Sequence, residues 1–143
     1  MSTTTEKVRW GVISTAKIGL EKVIPAMQKA SFCDIQAIAS RDQPHADAAA
    51  SALNIPKAYG SYEALLADSK IDAIYNPLPN HLHVPYSIAA LRSGKHVLCE
   101  KPVALNTEEL TQLERVATKS NSYFQEAFMV RYHPQWHWLQ ELD

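Results

Sequence analysis

Cysteine is scarce in this sequence, with only Cys33 and Cys99 in 143 residues. Two cysteines cannot supply the disulfide framework of a small secreted domain, so the expectation is a pair of reduced thiols in a cytoplasmic protein. Charge of one sign is also lacking. The formal net charge is -1, which leaves no excess to steer the chain toward nucleic acid or an anionic membrane. No apolar run approaches the roughly 20 residues that a membrane-spanning helix needs. The opening MSTTTEKVRW has no apolar core of the kind a signal peptide carries. Repeats, low-complexity segments and linkers are absent, so nothing divides the chain internally.

What is present is an ordinary globular balance, 46% hydrophobic and 20% charged, in a length suited to one domain. Strand-like and helix-like segments alternate from the start. VRWGVIS (8–14) is an apolar run of strand length, and KIGLEKVIPAMQKA (17–30) shifts to helical spacing, with Pro25 expected to kink or restart it. Further strands are expected at 33–40, 57–59, 71–76, 95–99 and 122–129. Helices are expected at 44–54, 62–69, 82–94, from Asn106 or Thr107 to about Ser120, and at 133–143. Gly94 stands where a helix stops, and Asn106 with Glu109 forms a capping-box pattern. Strands separated by helices pair in parallel through right-handed crossovers, which predicts a doubly wound α/β sheet. Ligands of such sheets bind beyond the carboxyl ends of the strands, where strand order reverses.

Three stretches fall at that edge. After the first strand, Ser14, Thr15, Ala16, Lys17, Ile18 and Gly19 occupy the place of a G-x-G-x-x-G turn. Ser14 and Ala16 are small enough for a tight turn near pyrophosphate, and Gly19 is expected to keep the helix-packing role. The helix that follows would aim its free N–H groups at phosphate. An ordinary strand-to-helix turn would look much the same. The second strand ends in Ser40 and Arg41, where an acid usually accepts from an adenosine ribose hydroxyl. A hydroxyl and a guanidinium suit a 2′-phosphate, so NADP is expected and NAD is possible. Asp42 could serve as the acid instead, and Arg41 could simply be solvated. The third stretch, YNPLPNHLH (75–83), is a stiff polar loop, or a rigid turn in which Asn80 caps a helix.

In GKHVLCEKPVALN, Pro102 pushes Lys101 toward extended geometry and permits a cis Lys–Pro bond. A lysine on such a turn can meet a substrate hydroxyl, and Glu100 beside it would favour its charged form. An exposed salt-bridge lysine is the plainer alternative. Histidine pairs His81/His83 and His133/His137 lack a third ligand at matching spacing, so no metal is expected.

Together these stretches resemble the glucose–fructose oxidoreductase / inositol dehydrogenase (Gfo/Idh/MocA) family. The E-K-P triplet at Glu100–Pro102 and the N-P-L-P-N-x-x-H loop at Asn76–His83 carry the resemblance most specifically. The tail QEAFMVRYHPQW looks like the dihydrodiol and xylose dehydrogenase branch. The resemblance implies a Rossmann dinucleotide-binding domain over residues 1–130. Residues 131–143 would begin the connection to a C-terminal α/β substrate domain that this chain lacks. It also implies an oxidoreductase, a dehydrogenase acting on a hydroxyl of a sugar, polyol or diol, with Lys101 as the catalytic residue. Cofactor contacts would come from Ser14, Thr15, Ala16, Lys17, Ile18, Ser40, Arg41, Pro77, Leu78, Pro79, Asn80, His83, Glu100 and Lys101. Arg131 and Tyr132 match a segment entering the substrate cleft. A homo-oligomer is implied, formed chiefly through the missing domain. The alternatives are a non-catalytic NADP-binding module and an inactive fragment.

Overall fold

A computed structural model describes residues 6–142. Residues 1–5 and Asp143 lie outside the described residues, and with them the signal-peptide expectation for the first five positions and the last residue of the expected final helix. The sheet has six strands in the order β3-β2-β1-β4-β5-β6, every pair parallel. They are β1 (Val8–Ile13), β2 (Cys33–Ala39), β3 (Lys57–Tyr59), β4 (Ala73–Asn76), β5 (His96–Glu100) and β6 (Phe124–Ala127). The helices are α1 (Ile24–Lys29), α2 (Gln43–Leu53), α3 (Tyr62–Leu66), α4 (Asn80–Arg92), α5 (Thr107–Lys119) and α6 (Pro134–Gln140). The first three strands grow outward from β1 in one direction, and the chain then returns to lay β4 against its other side. The order therefore reverses between β1 and β4, and a crevice opens there.

Alternation along the central strands divides the core in two. Val12 and Tyr75 face one layer with Ile24, Ile35 and Ile38, while Ile13 and Ile74 face the other with Leu65, Leu91, Val97 and Leu113. Such two-sided burial is why β1 and β4 read as continuous apolar runs. Gly11 is in β1 because the opposite layer presses on it: a Cβ there would stand 2.7 Å from Leu65 Cδ2.

Local chemistry sets the helix ends. Asp42 Oδ1 accepts from His45 N–H at 3.0 Å to start α2, Ser61 Oγ accepts from Ala64 N–H at 3.2 Å to start α3, and Asn106 Oδ1 accepts from Glu109 N–H at 2.9 Å to start α5. The reciprocal arm of the α5 box goes one residue further out than expected, Glu109 Oε2 accepting from Leu105 N–H at 2.9 Å. The chain after β1 opens as a π-helical turn, Gly19–Val23, and resumes as α1 with Pro25 in its first turn, where a missing N–H costs no helical bond. That is the restart expected at Pro25. Gly94 ends α4 with φ at +73°, as the sequence predicts.

Several boundaries differ from expectation: α3 stops at Leu66 rather than Ser69, β4 starts at Ala73 rather than Ile71, and two further shifts lie near the site. Helix α4 begins at Asn80 rather than Leu82, because Leu82 N–H already donates to Pro79 carbonyl at 2.8 Å. The last strand is only Phe124–Ala127, and Met129–Tyr132 coils into a 3-10 turn as Arg131 N–H reaches Phe128 carbonyl. Both cysteines are free and buried, and burial pushes the Cys99 thiol up to about 12.

Candidate cofactor cleft and catalytic edge

The crevice at the strand-order reversal is a cleft of about 330 Å³. Ser14, Thr15 and Ala16 line it from the turn after β1, Ser40 and Arg41 from the end of β2, and Leu78 and Pro79 from the loop after β4. These are seven of the residues expected at the cofactor. Ser14 takes φ of 130°, a conformation glycine adopts freely and serine rarely. Its hydroxyl accepts from Ala16 N–H at 3.0 Å, so the turn a first glycine normally makes is here made by a serine that ties itself down. Gly19 is buried, but a Cβ on it would only touch Tyr75 Cε1 at 3.5 Å and Pro77 Cγ at 3.6 Å, ordinary contacts. The close-packing role expected of Gly19 therefore belongs to Gly11.

At the other end of the cleft, Ser40 is fixed by its N–H bond to Tyr59 carbonyl at 3.0 Å, while Arg41 is exposed. Asp42 lines the cleft beside Arg41 and also bonds within its own helix start. Besides capping α2, its carboxylate holds His45 Nδ1 at 2.7 Å, and these bonds from His45 keep the Asp42 carboxyl below its usual pKa. The half-exposed Asp42 carboxylate keeps lone pairs beyond those His45 uses, so it retains the capacity to accept a ribose hydroxyl. His45 itself lines the cleft, together with Tyr62 and Leu82. The sequence reading missed His45, although its position three residues beyond a capping aspartate was the available signal.

The loop after β4 is organised by Asn76, fully buried, which sequence reasoning treated only as part of a motif. Its Nδ2 donates to His83 carbonyl at 3.1 Å and to Ser87 Oγ at 3.2 Å, and its Oδ1 accepts from Leu78 N–H at 3.2 Å. Pro79 occupies the cap position of α4, and Asn80 is its first helical residue, so Asn80 is not the cap. His83 is buried between this loop and the next, its Nδ1 2.7 Å from Pro102 carbonyl and its Nε2 2.6 Å from Leu78 carbonyl.

The E-K-P turn follows β5. The Lys101–Pro102 bond is cis. Lys101 is exposed, and none of the ion pairs among the described residues includes it. Glu100 makes no ion pair with Lys101: its Oε1 accepts from the buried Tyr75 hydroxyl at 2.7 Å. Burial and that bond push the Tyr75 phenol far above its usual range. The Lys101 ammonium is thus left free at the sheet edge, able to donate to an incoming hydroxyl. Val103 N–H donates to Glu126 Oε1 at 3.0 Å, securing the far side of the turn on β6.

Other expected residues are not in the cleft wall. Lys17 reaches Glu21 at 3.8 Å, Ile18 is exposed, and Pro77 is buried behind the turn. Arg131 and Tyr132 are exposed on the 3-10 turn, where Tyr132 hydroxyl is hydrogen-bonded to Gln125 Nε2 of β6. No group of three metal-ligating side chains occurs among the described residues, and no described helix is long and apolar enough to cross a membrane.

Residues 8–128 match the family described as oxidoreductases with an NAD-binding Rossmann fold, GFO_IDH_MocA. The chain is 50% identical over 125 residues to D-xylose 1-dehydrogenase (NADP(+)) 2 of Haloferax volcanii, covering 87% of this chain and 38% of the relative. It is 41% identical over 128 residues to trans-1,2-dihydrobenzene-1,2-diol dehydrogenase of Xenopus laevis, covering 88% and 38%. The 3-ketoreductase KijD10 of Actinomadura kijaniata, solved with TDP-benzene and NADP, superposes with a TM-score of 0.90 at 34% identity, over 96% of this chain and 43% of that one. The chain thus spans less than half the length of the relatives it matches.

Proposed function

Since the chain belongs to the Gfo/Idh/MocA oxidoreductase family, we propose that it is the cofactor-binding portion of an NADP-dependent dehydrogenase or reductase acting on a sugar, polyol or diol. The observation that carries the cofactor choice is the adenosine end of the cleft, where Arg41 and Ser40 line the wall and the adjoining Asp42 spends part of its carboxylate on His45. A guanidinium and a hydroxyl there fit a 2′-phosphate, which gains charge-assisted bonds that a neutral ribose diol does not. The name of the xylose dehydrogenase relative and that of the KijD10 structure, both with NADP, support the same choice.

Bound nicotinamide supplies the hydride chemistry. This chain's own residues bind, orient and manage the proton. Ser14, Thr15 and Ala16 present backbone close to the pyrophosphate. Leu78 and Pro79 wall the cleft, and Lys101 donates to the reacting oxygen and holds or moves its proton. Lys101 is what separates this reading from a non-catalytic nucleotide module, which would have no use for an unpaired ammonium there.

Residues 1–130 are the cofactor domain in this reading, and 131–143 lead toward a substrate domain. The exposed Tyr132, Trp136, Trp138 and Leu139 of that segment give such a domain, or a second copy in a homo-oligomer, an apolar surface to cover. In the catalytically active form, Lys101→Ala is expected to lower kcat by 100-fold or more, on the order of an acid–base contribution, with NADP affinity kept within a few-fold. Steady-state kinetics beside a binding titration checks this. Intact turnover with lost nucleotide binding would overturn the role given to Lys101.

A further inference from the structure

His83 is placed between two acceptors. Its Nδ1 lies 2.7 Å from the carbonyl oxygen of Pro102 and its Nε2 2.6 Å from that of Leu78, with 1% of the residue exposed. A carbonyl oxygen only accepts, so each ring nitrogen needs a proton to make its bond. A neutral imidazole has one N–H. In that form the other contact would set a nitrogen lone pair against a carbonyl lone pair where water cannot intervene. Both carbonyls are satisfied at once only by the doubly protonated ring.

We propose that His83 is held as an imidazolium and acts as a positioning residue, stapling the loop after β4 to the E-K-P turn so that the placement of Lys101 depends on the proton His83 carries. The two carbonyls belong to the loop after β4 and the E-K-P turn, and no other donor reaches either of them among the described residues. The backbone of His83 is fixed as well, since Asn76 Nδ2 donates to its carbonyl. Lys101 immediately precedes Pro102, so a turn released at Pro102 carbonyl carries Lys101 with it.

The ionisable groups on the surrounding elements pull both ways. His81 shares the first turn of α4, β5 and its turn bring Cys99, Glu100 and Lys101, and β6 brings Glu126, whose carboxylate holds Val103 N–H. Glu100 and Glu126 favour a cation. Lys101, burial and the N-terminal end of α4 oppose it. The two short contacts decide the balance, because hydrogen bonds from a charged donor are shorter and about twice as strong as neutral ones. The inference uses the proposed function only for the role of Lys101, and the staple itself stands or falls separately.

The test is nuclear magnetic resonance on the 15N-labelled chain. At pH 7.5 an unperturbed histidine is roughly ten parts neutral to one charged. Long-range 1H–15N correlation at that pH is expected to show His83 with a proton on each ring nitrogen. A single protonated nitrogen would overturn the proposal. On raising the pH further, the amides of Leu78 and Asn80 in one loop and Lys101 and Val103 in the other should shift with one midpoint, shared with the ring signals. That common midpoint should vanish in His83→Gln, and its persistence there would also overturn the proposal. If His83→Gln fails to fold, the wild-type ring spectrum decides alone. An imidazolium in a protein whose Lys101→Ala variant keeps its kcat would leave the staple standing and remove the proposed function instead.

Discussion

Two glycines with the same apparent purpose are distinguished by less than one ångström. A methyl at Gly11 would press on Leu65 at 2.7 Å and on Ile71 and Ile74 at 3.2 Å, in a layer where Leu65 and Ile74 are fully buried. Overpacking of that kind costs about 1–3 kcal/mol. At Gly19 the nearest atoms are 3.5 and 3.6 Å away, and a helical position gains roughly 0.5–1 kcal/mol when glycine becomes alanine. Thermal unfolding should therefore show Gly11→Ala less stable than the parent and Gly19→Ala equal or more stable. The reverse order would mean the β1 layer is looser than its geometry implies. Sequence alone placed the packing role at Gly19 because the turn motif names that position. The pressure on Gly11 comes from Leu65, Ile71 and Ile74, more than 50 positions away, which no local pattern reports. The adenosine end has its own residue-scale test. Arg41→Ala should weaken NADP binding by about 1.5–3 kcal/mol, roughly ten- to a hundredfold, and leave NAD almost unchanged. Equal losses for both nucleotides would remove the 2′-phosphate assignment.

Among elements, the loop from α3 into β4 is held by Asp68. Its carboxylate takes a bond from Lys57 Nζ at 2.7 Å, another from Lys70 N–H at 2.9 Å, and one from Tyr59 hydroxyl at 2.8 Å. Lys57 foremost, then the Lys70 amide, holds the Asp68 carboxyl well below its usual pKa, with the Tyr59 hydroxyl adding to the shift. The nearly buried Lys95 spans the same region, donating to Asp68 carbonyl at 2.7 Å and Ile71 carbonyl at 2.9 Å. A folded carboxylate that stays ionised below the unfolded value, about 3.9, contributes stability that is complete above that value and lost as pH falls through the folded pKa. Asp42 and Asp72 shift in the same direction, through His45 and Arg9. The melting temperature of the parent should consequently fall steeply below pH 4, and Asp68→Asn should flatten that limb while lowering the melting temperature at pH 7. An unchanged acid limb in the variant would show that Asp68 does not carry the dependence. Secondary structure was largely legible at this scale, because capping side chains and apolar spacing are local signals. Asn106 and Gly94 mark ends that the structure keeps. Two of the edges that moved, at Asn80 and after Ala127, are set by backbone bonds to Pro79 and Phe128 carbonyls that carry no side-chain signature.

For the whole molecule, alternation of strands and helices was enough to anticipate a doubly wound parallel sheet, and the order β3-β2-β1-β4-β5-β6 places the reversal between β1 and β4. Seven residues expected at the cofactor from three separate stretches line one cleft there. What the sequence did not disclose is how side chains share partners across loops. The Tyr75–Glu100 bond and the Asn76 network join groups whose pairing only the fold determines, while the Asp42–His45 pair is a local one at the start of α2. Those pairings sharpen the account, since they leave Arg41 and Lys101 as the unpaired cations at the two ends of the edge. The most direct measurement is calorimetric titration of this chain with NADP and, separately, with NAD. The account predicts that NADP binds at least tenfold more tightly. Equal affinity, or a preference for NAD, would contradict it.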